Sequence, residues 1–165
     1  MRKSLLLLAF ASVSAFAQVE VLEEPKRVSK VETSFSLGLA DYKEKVFSRT
    51  WYASLNVDYR AKYPFLMGAG LSASSSSDVF MLYPSLRFKV RVPVVSTLKV
   101  DPFVSASMGY AENTTLHKKK LLAGGFAGIE MLYFFGNSYA GVRVGYGVFS
   151  DNRFNHLFVG SIIGF

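Results

Sequence analysis

Nine charged residues share one parity within alternating stretches of the chain: Glu32, Asp58, Arg60, Arg87, Lys89, Arg91, Asp101, Glu130 and Arg143. Charges enclosed in a narrow interior are stable only when paired and hydrogen-bonded. Paired, these five cations and four carboxylates would form a salt-bridged filling, with Glu130 and Arg143 as its foremost pair. Left open, Arg87, Lys89 and Arg91 would form a basic constriction of the kind that selects anions. A second set, His117, Lys118, Lys119 and Lys120, is a basic patch suited to phosphate groups by charge attraction. It lacks interleaved stacking aromatics, so nucleic acid is not expected. Hydrolytic chemistry would fall to His156 with Ser150 and Asp151, but the parity of His156 points it inward. There is no cysteine, hence no disulfide, thiolate ligand or thiol nucleophile. No phosphate-binding loop, dinucleotide fingerprint or spaced metal-ligand set is present, and no cofactor is expected.

The elements that must position these residues are strands. In 51–60, Trp51, Ala53, Leu55, Val57 and Tyr59 alternate with Tyr52, Ser54, Asn56, Asp58 and Arg60. Successive side chains of a strand point to opposite faces, so one face is apolar and the other polar. The same period of two predicts strands over 31–40, 65–73, 80–92, 100–110, 120–132, 139–149 and 155–165. Turns are expected at 61–64, 93–97 and 135–138, and loops at 41–50, 74–78, 111–119 and 150–154. Pro84 and Pro102 fall inside predicted strands, where a bulge at each, or a strand beginning after Pro102, would accommodate them.

The parity of the charges decides which face is inside. None of the nine lies on the face that carries Trp, Phe, Leu and Val. A soluble barrel would place its apolar face inward and its charges outward. A cation on a lipid-facing surface costs about 2–4 kcal/mol near the bilayer midplane, so a face free of charge suits lipid. The expected fold is therefore all-β, an eight-stranded antiparallel up-and-down transmembrane β-barrel. Small residues on the polar face suit the narrow interior of such a barrel. Aromatics cluster at both ends of the strands as two girdles: Phe47, Trp51, Phe80, Tyr110, Phe149 and Phe154 at one, and Tyr59, Tyr63, Phe65, Tyr133, Phe134, Phe135, Tyr139 and Phe165 at the other.

The N-terminus predicts export. Arg2 and Lys3 precede an apolar run from Leu5 to Phe10, and Ala15-Phe16-Ala17 supplies a small-x-small cleavage pattern, so 1–17 reads as a signal peptide. Residues 18–30 would be a periplasmic lead-in and 31–165 the barrel. Cleavage after Ala17 removes two basic residues and no acid, taking the formal charge from +7 to +5. Hydrophobic residues make up 50% of the chain, yet after the signal no stretch reaches the 18 apolar residues of a membrane-spanning helix. Such a chain can cross the inner membrane without being arrested there.

At the C-terminus, Leu157, Val159, Ile163 and Phe165 resemble the signal that outer-membrane proteins present to the barrel-assembly machinery, with the period interrupted at Ser161. The run from Pro102 to Tyr110, followed by that from Gly124 to Glu130, resembles the paired strands of opacity-type barrels. The whole mature chain is similar to the small OmpA/OmpX-type and opacity-protein family. That resemblance implies an outer-membrane location in a diderm bacterium, contact with outer-membrane lipid and lipopolysaccharide, and a structural or adhesin-like surface role, to which the paired interior charges add a mostly plugged lumen. A narrow porin-like channel is the second reading, and a lipid A-modifying enzyme a remote third. The family's motifs are architectural and bring no catalytic residue with them.

Overall fold

The computed structural model describes residues 30–42, 50–77, 79–113 and 118–165, with the backbone alone at 113 and 118. The expected signal peptide and all of the lead-in except Lys30 lie outside the described residues, as do Phe47 and His117. Eight strands follow one another: β1 (Val31–Tyr42), β2 (Thr50–Lys62), β3 (Phe65–Ser75), β4 (Val79–Val90), β5 (Leu98–Asn113), β6 (Lys118–Phe135), β7 (Ser138–Phe149) and β8 (His156–Gly164). Val92–Pro93 prolongs β4, and a 3₁₀ turn, Asn152–Phe154, precedes β8. Each strand pairs antiparallel with the next, and β1 pairs with β8 to close the ring. At the closure, Thr33 and Phe165 exchange backbone hydrogen bonds of 2.9 and 3.0 Å. A closed ring leaves no edge, which is what allows strands to sit in a bilayer.

The barrel is inverted relative to a soluble one. Trp51 is 64% exposed, Leu121 70% and Leu86 72%, whereas Glu130 and Lys89 are fully buried. In water an apolar surface this continuous would drive aggregation; in a bilayer it is the solvated face. Among the described residues no helix is long and apolar enough to cross a membrane. Strands of 9 to 18 residues serve instead, where about 9–11 suffice. We call the end that carries Val31 and Phe165 the periplasmic end and the opposite one the outer end.

The strands run further than alternation suggests. The segment expected as a loop over 111–119 is mostly ladder, with Ala111, Glu112 and Asn113 paired to Lys120, Lys119 and Lys118. Above the apolar band a strand has no reason to keep one face apolar, so hydropathy stops marking it while hydrogen bonding continues. At the periplasmic end the turns are tight. Gly136 takes φ +66 in the two-residue link between β6 and β7, a conformation open to glycine at little cost.

The prolines are accommodated without a bulge and without a delayed strand. Pro84 sits in β4, in register with Leu71, and Pro102 sits in β5, in register with Ile129. The β4–β5 ladder is interrupted between Leu82 and Ser85 and again beyond Lys89, yet its register is the same on both sides of each gap. Both missing N–H groups therefore fall on one seam.

Large aromatics also occupy the interior. Phe149, Phe154 and Tyr139 are buried and Phe134 is half-buried inside the barrel, so these four leave the expected girdles. Their parity, which position along the strand alone ignores, turns them inward. Trp51, Phe80 and Tyr110 remain at the outer end, with Tyr59, Phe65, Tyr133, Phe135 and Phe165 at the other.

Candidate functional site

Glycines create the space in which the interior charges meet. On β3, between β2 and β4, Gly68 and Gly70 face inward, and a Cβ on Gly68 would run into the Asp58 carboxylate. Across that gap Lys89 of β4 reaches Asp58 of β2 at 2.6 Å, and Arg87 Nε reaches it at 3.3 Å. On the other side of β4, over β5, Arg87 Nη2 donates to Glu130 Oε1 at 2.6 Å and Lys89 Nζ to Glu130 Oε2 at 3.2 Å. Arg143, the register partner of Glu130, approaches it at 3.4 Å. The expected Glu130–Arg143 pair is thus present, but the shortest contact to Glu130 comes from Arg87, two strands away. Arg143 also donates to Ser54 and Ser36, at 2.9 and 3.3 Å.

A second chain of pairs lies nearer the periplasmic end. Arg91 donates to both oxygens of Glu32, at 2.6 and 2.9 Å, and to Asp101 at 2.7 Å, while Arg60 pairs with Glu32. All nine charged residues singled out in the sequence are therefore buried, each paired with an opposite charge, in two neighbouring groups. Phe103 ties this layer to the next: the guanidinium carbons of Arg143 and Arg87 stand 4.6 and 5.4 Å from its ring centre. Outward of it, Tyr83, Phe126, Phe149 and Phe158 pack ring on ring at 5.2–5.7 Å. Inward-facing glycines make room for these rings, Gly147 beside Phe126 and Gly145 beside Phe158. Alternation alone could not reveal this aromatic layer, because its residues share the polar face with serine and glycine.

Lys99 was missed by the sequence reading. It lies one residue before the predicted start of its strand, at the same parity as Asp101, and is 8% exposed at the periplasmic mouth. Its ammonium stands 4.2 Å from the centre of the Phe134 ring.

At the outer end the described part of the basic patch lies in a strand. Lys118, Lys119 and Lys120 open β6 in the ladder with β5, and the side chains of Lys119 and Lys120 point to opposite sides of the wall. Lys120 donates to Asp151 at 2.9 Å, and Arg153, which the sequence reading did not include, holds the same carboxylate through two nitrogens at 2.7 and 3.1 Å. The Arg153 guanidinium, with Lys120 beside it, holds the Asp151 carboxyl well below the usual carboxylate range. Lys119, Lys120 and Arg153 remain exposed. His156 is fully buried among Tyr42, Phe126 and Phe149, with Nδ1 2.8 Å from the Phe154 carbonyl oxygen. Ser150 and Asp151 bond elsewhere, so the triad considered in the sequence is not assembled. Among the described residues no three potential ligands gather for a metal ion.

Leu157, Val159, Ile163 and Phe165 all face the lipid side, and Phe165 is held to β1 through its backbone. Apolar outside, charged within and closed by pairing of its two ends, the chain has the architecture of a transmembrane β-barrel.

No family model and no curated protein sequence matches the chain. Solved structures do. Neisserial surface protein A superposes with a TM-score of 0.60 at 9% identity, over 81% of this chain and 94% of that one. Ail, the attachment invasion locus protein of Yersinia pestis, gives 0.54 at 7% identity, over 81% and 93%. Ail in complex with the heparin analogue sucrose octasulfate gives 0.50 at 9%, over 82% and 96%. At such identities the likeness is one of fold: this chain is similar to small eight-stranded barrels of the bacterial outer membrane.

Proposed function

We propose that this chain is a surface-interaction protein of the outer membrane, whose outer rim engages anionic groups and whose lumen does not conduct. The observation that carries the reading is the rim itself. Lys119, Lys120 and Arg153 stand exposed at the outer end, two of them organised by one carboxylate. Exposed cations above a membrane attract phosphate or sulfate groups over about a Debye length, ~8 Å at physiological salt. Lipopolysaccharide phosphates and sulfated polysaccharides share that chemistry. The complex of Ail with a sulfated heparin analogue lends support by analogy of fold.

Two further elements belong to the proposal. The ion-pair and aromatic layers fill the interior, which supports a plugged lumen over an anion-selective constriction at Arg87, Lys89 and Arg91. The lipid-facing Leu157, Val159, Ile163 and Phe165 would serve recognition by the barrel-assembly machinery. His156, enclosed by rings, supports a non-enzymatic role.

The test is binding of the barrel, folded in neutral lipid nanodiscs, to a sulfated heparin oligosaccharide and to lipopolysaccharide-containing vesicles. Binding that weakens steeply with salt and is lost in the K119Q/K120Q/R153Q variant supports the reading. Binding unaffected by that variant overturns it. Reproducible single-channel conductance in a planar bilayer would overturn the plugged lumen independently.

A further inference from the structure

The interior charges do not balance. Among the described residues, the inward-facing cations are Arg60, Arg87, Lys89, Arg91, Lys99 and Arg143, against the carboxylates Glu32, Asp58, Asp101 and Glu130, an excess of two positive charges. Every one of those carboxylates is already bonded to a cation, and Glu130 to three. Lys99 has no carboxylate of the described residues within ion-pair distance. It shares the Phe134 ring with Arg91, whose guanidinium carbon stands 5.0 Å from the ring centre while its nitrogens are taken up by Glu32 and Asp101. A ring face offsets part of the cost of a near-buried ammonium but leaves its charge uncancelled.

We propose that the periplasmic mouth is an oxyanion site centred on Lys99, taking a compact phosphate or carboxylate from the periplasmic side. Lys99 lies at the start of β5, paired in the ladder with Leu132 of β6 and Pro93, so its position is fixed by two neighbouring strands. Lys30 and Lys62, both exposed, stand at the periplasmic ends of β1 and β2 and add to the positive field at the same opening. A narrow mouth with low-dielectric walls focuses that field and raises the local concentration of counter-ions. One of the two excess charges lies at this mouth, where Arg60, Arg91 and Lys99 face Glu32 and Asp101, and it matches one carboxylate or a phosphate monoanion. The site is separate from the outer rim and holds whether or not the rim binds polyanions.

The experiment is a titration of the folded, isotope-labelled barrel in nanodiscs with inorganic phosphate, at constant ionic strength made up with chloride, followed by amide chemical shifts. Because Glu20, Glu23 and Glu24 precede β1 in the sequence and offer the same oxyanion chemistry, the titration is run on the mature chain and on its E20Q/E23Q/E24Q variant. The expected result is a saturable shift at the amides around Lys99, Leu132 and Phe134, about tenfold weaker in K99Q and retained in K99R. Saturation in both chains identifies free oxyanion as the occupant. Saturation in the glutamine variant alone identifies the chain's own carboxylates. Absence of saturable shifts at these amides in both chains, or binding unchanged in K99Q, overturns the proposal.

Discussion

Replacing Glu130 with glutamine removes one negative charge from the point where three cations converge, at almost no change in side-chain volume. Arg87, Lys89 and Arg143 stand 2.6, 3.2 and 3.4 Å from its oxygens, and the carboxylate is fully buried. Breaking a buried ion pair by removing one partner costs about 3–5 kcal/mol, because the other charge is left uncompensated. The lower end applies here. Arg87 and Lys89 keep Asp58, and Arg143 keeps two serine hydroxyls and the faces of Phe103 and Phe158. We expect a loss of about 3 kcal/mol in E130Q. Adding Arg143→Gln returns the lumen to its original charge excess and is expected to recover about 1 kcal/mol of that loss, within the usual range of coupling between residues in contact. The assay is urea unfolding from phospholipid vesicles, followed by the fluorescence of Trp51, the single tryptophan, which faces the lipid. A loss below about 1 kcal/mol is the value of a solvent-exposed pair. It would mean that water reaches the network, and the reading of a filled lumen would fail with it.

The β4–β5 seam, interrupted at both prolines, is expected to exchange its amide hydrogens faster than seams at the same depth. Pro84→Val, at a position whose side chain faces lipid, restores one donor to the β4–β5 ladder and should add about 0.5–1.5 kcal/mol, and uniform exchange around the barrel would count against this account. Gly38 faces Gly160 across the closure of β1 on β8, and a Cβ on Gly38 would run into the Val159 carbonyl oxygen and the Gly160 backbone. Gly38→Ala is accordingly expected to lose the heat-modifiable gel mobility of a closed barrel, whereas Gly136→Asn, at an open turn, should retain it. Asp151→Asn removes the carboxylate that Lys120 and Arg153 share and should tighten polyanion binding several-fold, by about 1 kcal/mol of charge interaction. Because Asp151 is held below the usual carboxylate range, its ion pairs are fully present above the ordinary carboxylate pKa of about 4 and are lost only as pH falls through the lower folded value. Polyanion binding by a His117→Gln chain should therefore be flat from about pH 5 to 8, and a steep rise on acidification in that window would contradict the assignment.

What the sequence made legible, and what it did not, follows from where lipid constrains the chain. Between Val31 and Leu39, or Trp51 and Tyr59, every outward position meets hydrocarbon, so alternation is enforced residue by residue and the strand and its inner face can both be read. The same constraint exposed Glu32, Asp58, Arg87 and Glu130, since a charge within such a stretch has one allowed direction. Lys119, Lys120 and Glu112 lie above the apolar band, where the described lysines on both faces are exposed, and a ladder there leaves no hydropathic trace. Partners across strands were harder to read for another reason. Adjacency in the sheet predicts Glu130 with Arg143, but a small barrel has an interior narrow enough for long side chains to reach past a neighbouring strand, provided glycine stands there. Gly68 between Asp58 and Lys89 is such a place, and it reads in sequence as a mere small residue. The length of Arg and Lys side chains, set against the glycine pattern of the strand between them, is therefore the signal that a register alone omits. Applied to β5 it also places Lys99: at the same parity as Asp101 but beyond the last carboxylate, it is the cation that no acid of the described wall meets.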